Sequence, residues 1–430
     1  MLDRCVVVRL IEMPSIAHNN MKKTVSAPPY PYETMLALSS MGYDFSQAVA
    51  DVVDNSIDAG ATGVDIRSHS DEGSPDSAYL LVMDNGTGMD ANRLQLAMTL
   101  GGTNSDSDTL GKFGMGMKTA SLSQCDRLVV CSKHSGKIHG LCWDIDVLKK
   151  TNKWVMEVVD EDVLPLPALE YLTSIRSGTV VVWRKIKSVR ELNDKNATQV
   201  LDREALHTRR YLEMIFHRYL SGEQGVRKIN MSFNGRKITP WDPFCRDQKN
   251  TRNLGDVAIK VPEAGKSSVF VRPFLLPSQD GFSSSEAFNL GAGIRKWNDM
   301  QGFYFYRNNR MVDYSGWNWM RAKDEKTKFL RVAIDYDVNP KMDSLMKINV
   351  AKQTASIPAS IRDEIKEHLS KWAVLARKSY PTTRGVSEEN KSKKYSLLQV
   401  EKLLQYVATS GEKPIVTSLF SKLRKTHHIS

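Results

Sequence analysis

Apolar and polar positions alternate along this chain with two periods, and the change from one to the other marks its elements. Val49, Val52, Val53 and Ile57 recur at the spacing of a buried helical face. Gly60 follows where a left-handed cap ends a helix. The run Tyr79 to Met83 is a β-type apolar stretch that stops at Asp84 and enters the glycine turn D-N-G-T-G-M, and Ser177 to Trp183 is a second β-branched run introduced by Gly178-Thr179. From Asp202 to Leu220 a helix is predicted, with Leu212, Ile215, Phe216 and Tyr219 on its apolar face and Arg203, Arg209, Arg210 and Arg218 elsewhere. Strand-like runs recur at Lys228 to Phe233, Ser268 to Leu276, Gly302 to Tyr306 and Phe329 to Tyr336, and a helical pattern follows over 357 to 379.

These patterns divide the chain into an N-terminal arm (1–34) ending in the proline-rich stretch before residue 32, a mixed α and β domain (35–195), and a connecting helix (196–225). A second α and β domain (226–380) and a basic linker with a short amphipathic helix (381–430) complete it. Either Met1 or Met21 can serve as the start. No internal repeat is visible.

The composition sets outer bounds. Hydrophobic residues make up 41% and charged residues 25%, near the globular average, so a disordered chain does not fit. The longest apolar runs are about five residues against the twenty or so of a membrane helix, and the charged N-terminus is a poor secretory signal. A cytoplasmic protein with no membrane partner is expected. Five cysteines (Cys5, Cys125, Cys131, Cys142, Cys245), never spaced C-x-x-C, argue against a zinc module or a disulfide framework. The balance of 60 basic and 49 acidic residues gives +11, of which the segment from Arg384 onward carries +5. Such a charge favours polyanions at long range and equally suits a basic enzyme without any nucleic-acid partner.

Four segments carry candidate chemistry. On the first helix Asp51, Asn55 and Asp58 share a stripe, one turn apart. Such a stripe can bind Mg²⁺ through the Asn55 oxygen and activate a water through Asp51, or can be a solvated face. After the first β run, Gly86 and Gly88 let a flat ring approach the backbone while Asp84 accepts from an exocyclic amine. The small-residue loop from Gly101 to Ala120 closes with G-K-F-G-M-G-M-K and leads into a helix, so its amides, with Lys112 or Lys118, suit phosphate. It meets neither the Walker A spacing nor the dinucleotide-binding fingerprint. Thr179 can complete a hydrogen-bond pair with Asp84, or can belong to a plain buried strand.

Taken in order, helix with D-x-x-x-N, D-N-G-T-G-M, G-x-x-G-x-G-x-K and G-T, these segments resemble the GHKL ATPases, the superfamily of gyrase, the heat-shock chaperone, sensor histidine kinases and MutL. D-N-S-I-D-A-G and G-K-F-G-M-G-M-K look most like MutL and the MORC ATPases with their bacterial relatives. The resemblance spans about residues 35 to 375. It implies an α+β fold class: a Bergerat-type ATP-binding sandwich, a mixed sheet with helices on one face, followed by an α/β transducer domain. It also implies ATP and Mg²⁺ as cofactors. Asn55 is then the metal ligand, and Asp84 reads adenine with Gly86, Gly88, Met89 and Thr179. Asp58 lies beside the nucleotide, and Gly102, Thr103, Gly111, Lys112, Phe113, Gly114, Met115, Gly116, Met117 and Lys118 form the ATP lid. Asp51 is the general base where most members carry a glutamate, one methylene longer. Lys352, with Lys347 behind it, reaches the γ-phosphate, and the 302–310 segment resembles a transducer hairpin whose Arg307 and Arg310 contact nucleic acid, support the domain interface or face solvent.

The function expected from this resemblance is an ATP-gated conformational clamp in DNA processing, with an ATP-dependent homodimer and separate nuclease or helicase subunits as partners. Restriction or anti-phage defence is its expected setting. The alternative is a protein-remodelling chaperone that ignores DNA. A sensor kinase ranks last, because 34 residues ahead of the ATP domain are too few for a phospho-acceptor hairpin.

Overall fold

A computed structural model describes residues 29–40, 42–71, 74–102, 116–190, 197–223, 225–347 and 355–380. The chain divides into two units, Met1–Lys378 and Ser379–Ser430, and the elements below lie in the first, save that its last helix ends at Ser379. Thr103, Gly111, Lys112, Phe113, Gly114, Met115 and Lys352 lie outside the described residues, as does the basic tail.

The chain enters through α1 (Pro31–Ser39) and α2 (Phe45–Asp58). A capping box starts α2: the Asp44 carboxylate accepts from the Gln47 amide at 2.8 Å, and the Gln47 side chain accepts from the Asp44 amide. Such a cap is worth about 1 kcal/mol. Gly60 ends the helix region at φ +80°, as its spacing predicts. The strands β1 (Gly63–Asp71) and β2 (Ser74–Asp84) follow, then α3 (Ala91–Met98), α4 (Gly116–Gln124), β3 (Cys125–His134) and β4 (Lys137–Asp144). Next come α5 (Ile145–Thr151), β5 (Glu157–Val159), α6 (Leu166–Ser174), β6 (Gly178–Ile186) and the short α7 (Lys187–Arg190). The expected single connecting helix is two, α8 (Ala197–Ile215) and α9 (His217–Ser221), separated at Phe216. The strands β7 (Asn230–Phe233) and β8 (Arg236–Lys237) complete an eight-stranded sheet in the order β5-β4-β3-β6-β2-β1-β7-β8.

Two features of this sheet differ from the sequence reading. The run expected to open the second domain, Lys228 to Phe233, lies as β7 parallel to β1 and so extends the first sheet past residue 225. A strand edge left unpaired by β1 explains the recruitment, since its amides and carbonyls need partners. Nor are the helices confined to one face. On one side Leu81, Met83, Val129, Cys131, Val180 and Val182 pack with Ala168 and Leu172 of α6. The alternating positions Leu80, Val82, Asp84, Thr179, Val181 and Trp183 face the other side, where Phe45 of α2 meets Trp183 edge-on and Ser56 reaches Asp84. Burial on both faces leaves β2 a continuous apolar run from Leu80 to Met83 instead of an alternating one.

The rest of this unit is built on β9 (Arg252–Asn253), β10 (Val257–Lys260), β11 (Ser268–Leu275), α10 (Ser285–Ala292), β12 (Gly302–Arg307), β13 (Arg310–Tyr314), β14 (Leu330–Tyr336), α11 (Pro340–Leu345) and α12 (Ala359–Ser379). Its sheet runs β10-β11-β14-β12-β13, with β9 also on β11 and a parallel β12–β14 pair. Asn308 and Asn309, both at positive φ, make the tight turn between β12 and β13. Asparagine tolerates that conformation, which matches the twist of a two-residue hairpin. Cys125, Cys131, Cys142 and Cys245 are buried and unbonded. No helix among the described residues is long and apolar enough to cross a membrane.

Candidate functional site

Three neighbouring strands bring one polar row to the α2 side of the first sheet. Asp84 of β2 is paired with Thr179 of β6, and Thr179 with Ser132 of β3. Asp84 is only 5% exposed, yet no basic side chain pairs with it among the described residues. Its carboxylate accepts instead from the Ser56 hydroxyl at 3.0 Å and the Gly86 amide at 2.9 Å. Burial pushes its pKa up, and the donors Gly86, Ser56 and Thr179 oppose that rise. The Thr179 and Ser132 hydroxyls are 2.8 Å apart, and Ser132 accepts from the Met89 amide at 2.8 Å. Nothing in the sequence pattern marks Ser56 or Ser132 as part of this row. Serines in an apolar run carry no periodic signal of their own, and only strand register makes them neighbours of Asp84.

The turn after β2 is held by close backbone approach. A Cβ at Gly88, which sits at φ +66°, would stand 1.9 Å from the Lys133 carbonyl oxygen, so no side chain fits there. At Gly86 a Cβ would stand 2.9 Å from Ala59 at the end of α2. The two glycines let the turn lie against both α2 and β3.

The α2 stripe runs from the interior outward. Asp51 is 3% exposed, whereas Asn55 and Asp58 are exposed. The Asn55 amide nitrogen donates to the Asp51 carbonyl at 2.8 Å, which leaves its oxygen as the group suited to a cation. The Asp51 carboxylate accepts from the Tyr43 hydroxyl at 3.0 Å and pairs with Arg310 of β13 at 3.3 Å. Burial, with the Asp51 charge beside it, raises the Tyr43 pKa, so the phenol stays protonated as a donor. The start of α4 lies above this carboxylate: a Cβ at Gly116 would be 3.6 Å from Asp51 Oδ2.

Two expectations about cations change. Lys118 is buried, and its ammonium donates to the Ala97 carbonyl at 2.6 Å, where burial lowers its pKa to about 8. It joins α4 to α3 in this structure instead of standing open to an anion, while Met117 beside it is half-buried. Arg307 and Arg310 are buried at 4% and 1% exposure, so neither faces solvent or a nucleic acid. Lys347 is exposed, and Gly102 closes the turn after α3.

The donor set suits a nucleotide with its metal. Among the described residues no group of three His, Cys, Asp or Glu side chains is placed to hold a metal ion. A single amide oxygen at Asn55 fits a hard cation whose remaining oxygens come from phosphates and water. The buried, cation-free Asp84 beside two glycines fits a neutral hydrogen-bond donor such as an exocyclic amine. Comparison with known families points the same way: residues 43–179 match the Histidine kinase-, DNA gyrase B-, and HSP90-like ATPase model. That stretch begins at Tyr43, the donor to Asp51, and ends at Thr179, the partner of Asp84. No curated protein matches the sequence. The chain thus contains, over residues 43–179, an ATPase domain of the GHKL superfamily, with the ATP-binding capability that domain implies.

Proposed function

We propose that the chain hydrolyses ATP at this site with Mg²⁺ and uses the cycle as a conformational clamp on DNA, related in kind to the MutL and MORC ATPases. Adenine lies at the strand ends, where Asp84 accepts from its exocyclic amine and the Gly86–Gly88 turn, packed on β3, shapes the pocket edge. Asn55 holds the cation, with Asp58 next to it on the exposed face of α2. When bound, Mg²⁺ neutralises phosphate charge and aligns the terminal phosphate. Asp51 accepts the proton of the attacking water as its oxygen bonds to the γ-phosphorus, and the broken bond's electrons leave with the ADP oxygen. The observation that carries the ATP reading is the buried Asp84 with neutral donors only, in register with Thr179 and Ser132.

Support for the clamp comes from the hairpin β12–β13, which reaches α2 through Arg310 and ties the second sheet, the proposed transducer, to the base. Support for a polyanionic partner comes from the +11 charge and from Arg203, His207 and Arg210, exposed at helical spacing on α8. A homodimer closing on ATP completes the proposal. The test is ATP turnover, with retention on linear duplex DNA, at rising salt. The clamp requires ATP-dependent retention that weakens steeply with salt; turnover indifferent to DNA, without ATP-dependent retention, would replace it with the protein-remodelling reading.

A further inference from the structure

Asp51 is one methylene shorter than the glutamate usual at this position, and a general base works only within hydrogen-bond reach of its water. Something must hold so short a side chain in place. The structure offers a holder from outside the matched domain. Arg310, on β13, sends Nη2 to Asp51 Oδ1 at 3.3 Å and Nε to Asp54 Oδ1 at 3.1 Å, and all three side chains are 2% exposed. Its ring-side neighbour is Phe216, 5.9 Å from the guanidinium carbon. Across the hairpin, Arg310 stands directly opposite Arg307. Like charges in that position repel, and each arginine has its own acid to offset that repulsion. Arg307 takes Asp343 of α11, and Arg310 takes the two carboxylates of α2. The turn is fixed to the first sheet's helices as well, since the Tyr219 hydroxyl donates to the Asn308 carbonyl at 2.7 Å.

We infer that Arg310 is a positioning residue for hydrolysis: its fork, delivered by the second sheet's hairpin, orients the Asp51 carboxylate, so that the placement of that sheet sets the competence of the base. The inference rests on Asp51 being the base. A planar fork clamps two acids at once; a lysine brings the same charge but a single donor point and lacks the fixed geometry. Tyr43 holds the other carboxylate oxygen, Oδ2, so the Arg310 fork and the Tyr43 hydroxyl act on different oxygens of the acid.

The test compares Arg310→Lys and Arg310→Met with the full-length protein, measuring kcat, KM for ATP and direct ATP affinity, with Asp51→Asn as the reference. Arg310→Lys is expected to lower kcat about tenfold and Arg310→Met about 100-fold, the scale of a small misplacement of a reacting group. ATP affinity and KM should stay within about threefold of the wild type in both, because neither variant touches the adenine end. Partial recovery in the lysine variant is the signature of positioning. Wild-type or raised kcat in Arg310→Lys overturns the inference, the latter making the ion pair a brake. Parallel loss of kcat and affinity in both variants overturns it too, as does failure of Arg310→Lys to fold, since each assigns Arg310 to stability alone. If Arg310→Met does not fold, the lysine variant decides. Should Asp51→Asn hydrolyse ATP normally, the base assignment itself fails; an inactive Asp51→Asn beside an unaffected Arg310→Lys removes only the role of Arg310.

Discussion

Ser132 and Thr179 face each other on adjacent strands with their hydroxyl oxygens 2.8 Å apart, and Thr179 is in turn the register partner of Asp84. Three strands therefore deliver one continuous polar row to the α2 side of the sheet. Asp84→Asn keeps the shape of the acid but removes its charge and exchanges one acceptor for a donor. Charge-assisted hydrogen bonds contribute about 1.5–3 kcal/mol, so ATP affinity should fall on the order of 10- to 100-fold in a calorimetric titration. Unchanged affinity would move adenine elsewhere.

Asp51→Asn is expected to bind ATP as the wild type does and to lose hydrolysis by about 100-fold or more, the range of general-base catalysis. Phosphate release under saturating ATP measures it, with nucleotide binding as the control. Turnover at the wild-type rate would exclude Asp51.

Asn55→Ala should separate metal from nucleotide. In the wild type, adding Mg²⁺ tightens ATP binding; in the variant that gain is expected to vanish while metal-free affinity is kept, because adenine recognition at Asp84 is untouched. Titrations with and without the metal settle the matter, and a preserved Mg²⁺ effect would place its ligand at another residue.

Gly88→Ala tests the close approach of the turn to β3. The added carbon would sit 1.9 Å from the Lys133 carbonyl oxygen in a left-handed conformation. Backbone displacement and strain of about 1–3 kcal/mol should lower the melting temperature by several degrees and weaken nucleotide binding. A variant as stable as the wild type would mean that the turn relaxes freely.

His217 gives a pH prediction. It is buried on α9 with its Nε2 2.8 Å from the Tyr306 hydroxyl, and desolvation lowers its pKa from the ordinary 6.5 to about 4. The unfolded chain then binds a proton that the folded one refuses. Its contribution is present above pH 6.5 and is lost as pH falls through about 4, by on the order of 3 kcal/mol in total. His217→Gln, which retains a hydrogen-bonding side chain and does not titrate, should flatten the melting curve against pH over this window. Identical slopes would show that His217 ionises freely in the fold.

Much of this architecture was legible in the amino-acid order. The buried face of α2, its glycine terminator and the apolar strand ending at Asp84 all follow from local rules of period and backbone conformation. Those rules act within a few residues, so a single sequence exposes them. They also sufficed to find Asp51, Asn55, Asp84 and Thr179 as candidates.

Contacts between distant segments were not readable in that way. That β7 joins the first sheet, that α6 covers its second face, that Ser56 and Ser132 surround Asp84, and that Lys118 turns onto Ala97 depend on strand register and helix placement. Arg310 is the sharpest case. Read along the chain it is a polar residue at a hairpin end, suited to solvent as much as to a partner. Only the folded chain, by burying it against Asp51 and Asp54 with water excluded, makes its charge a partner of the acid on α2, because an ion pair's strength depends on where the surrounding protein puts it.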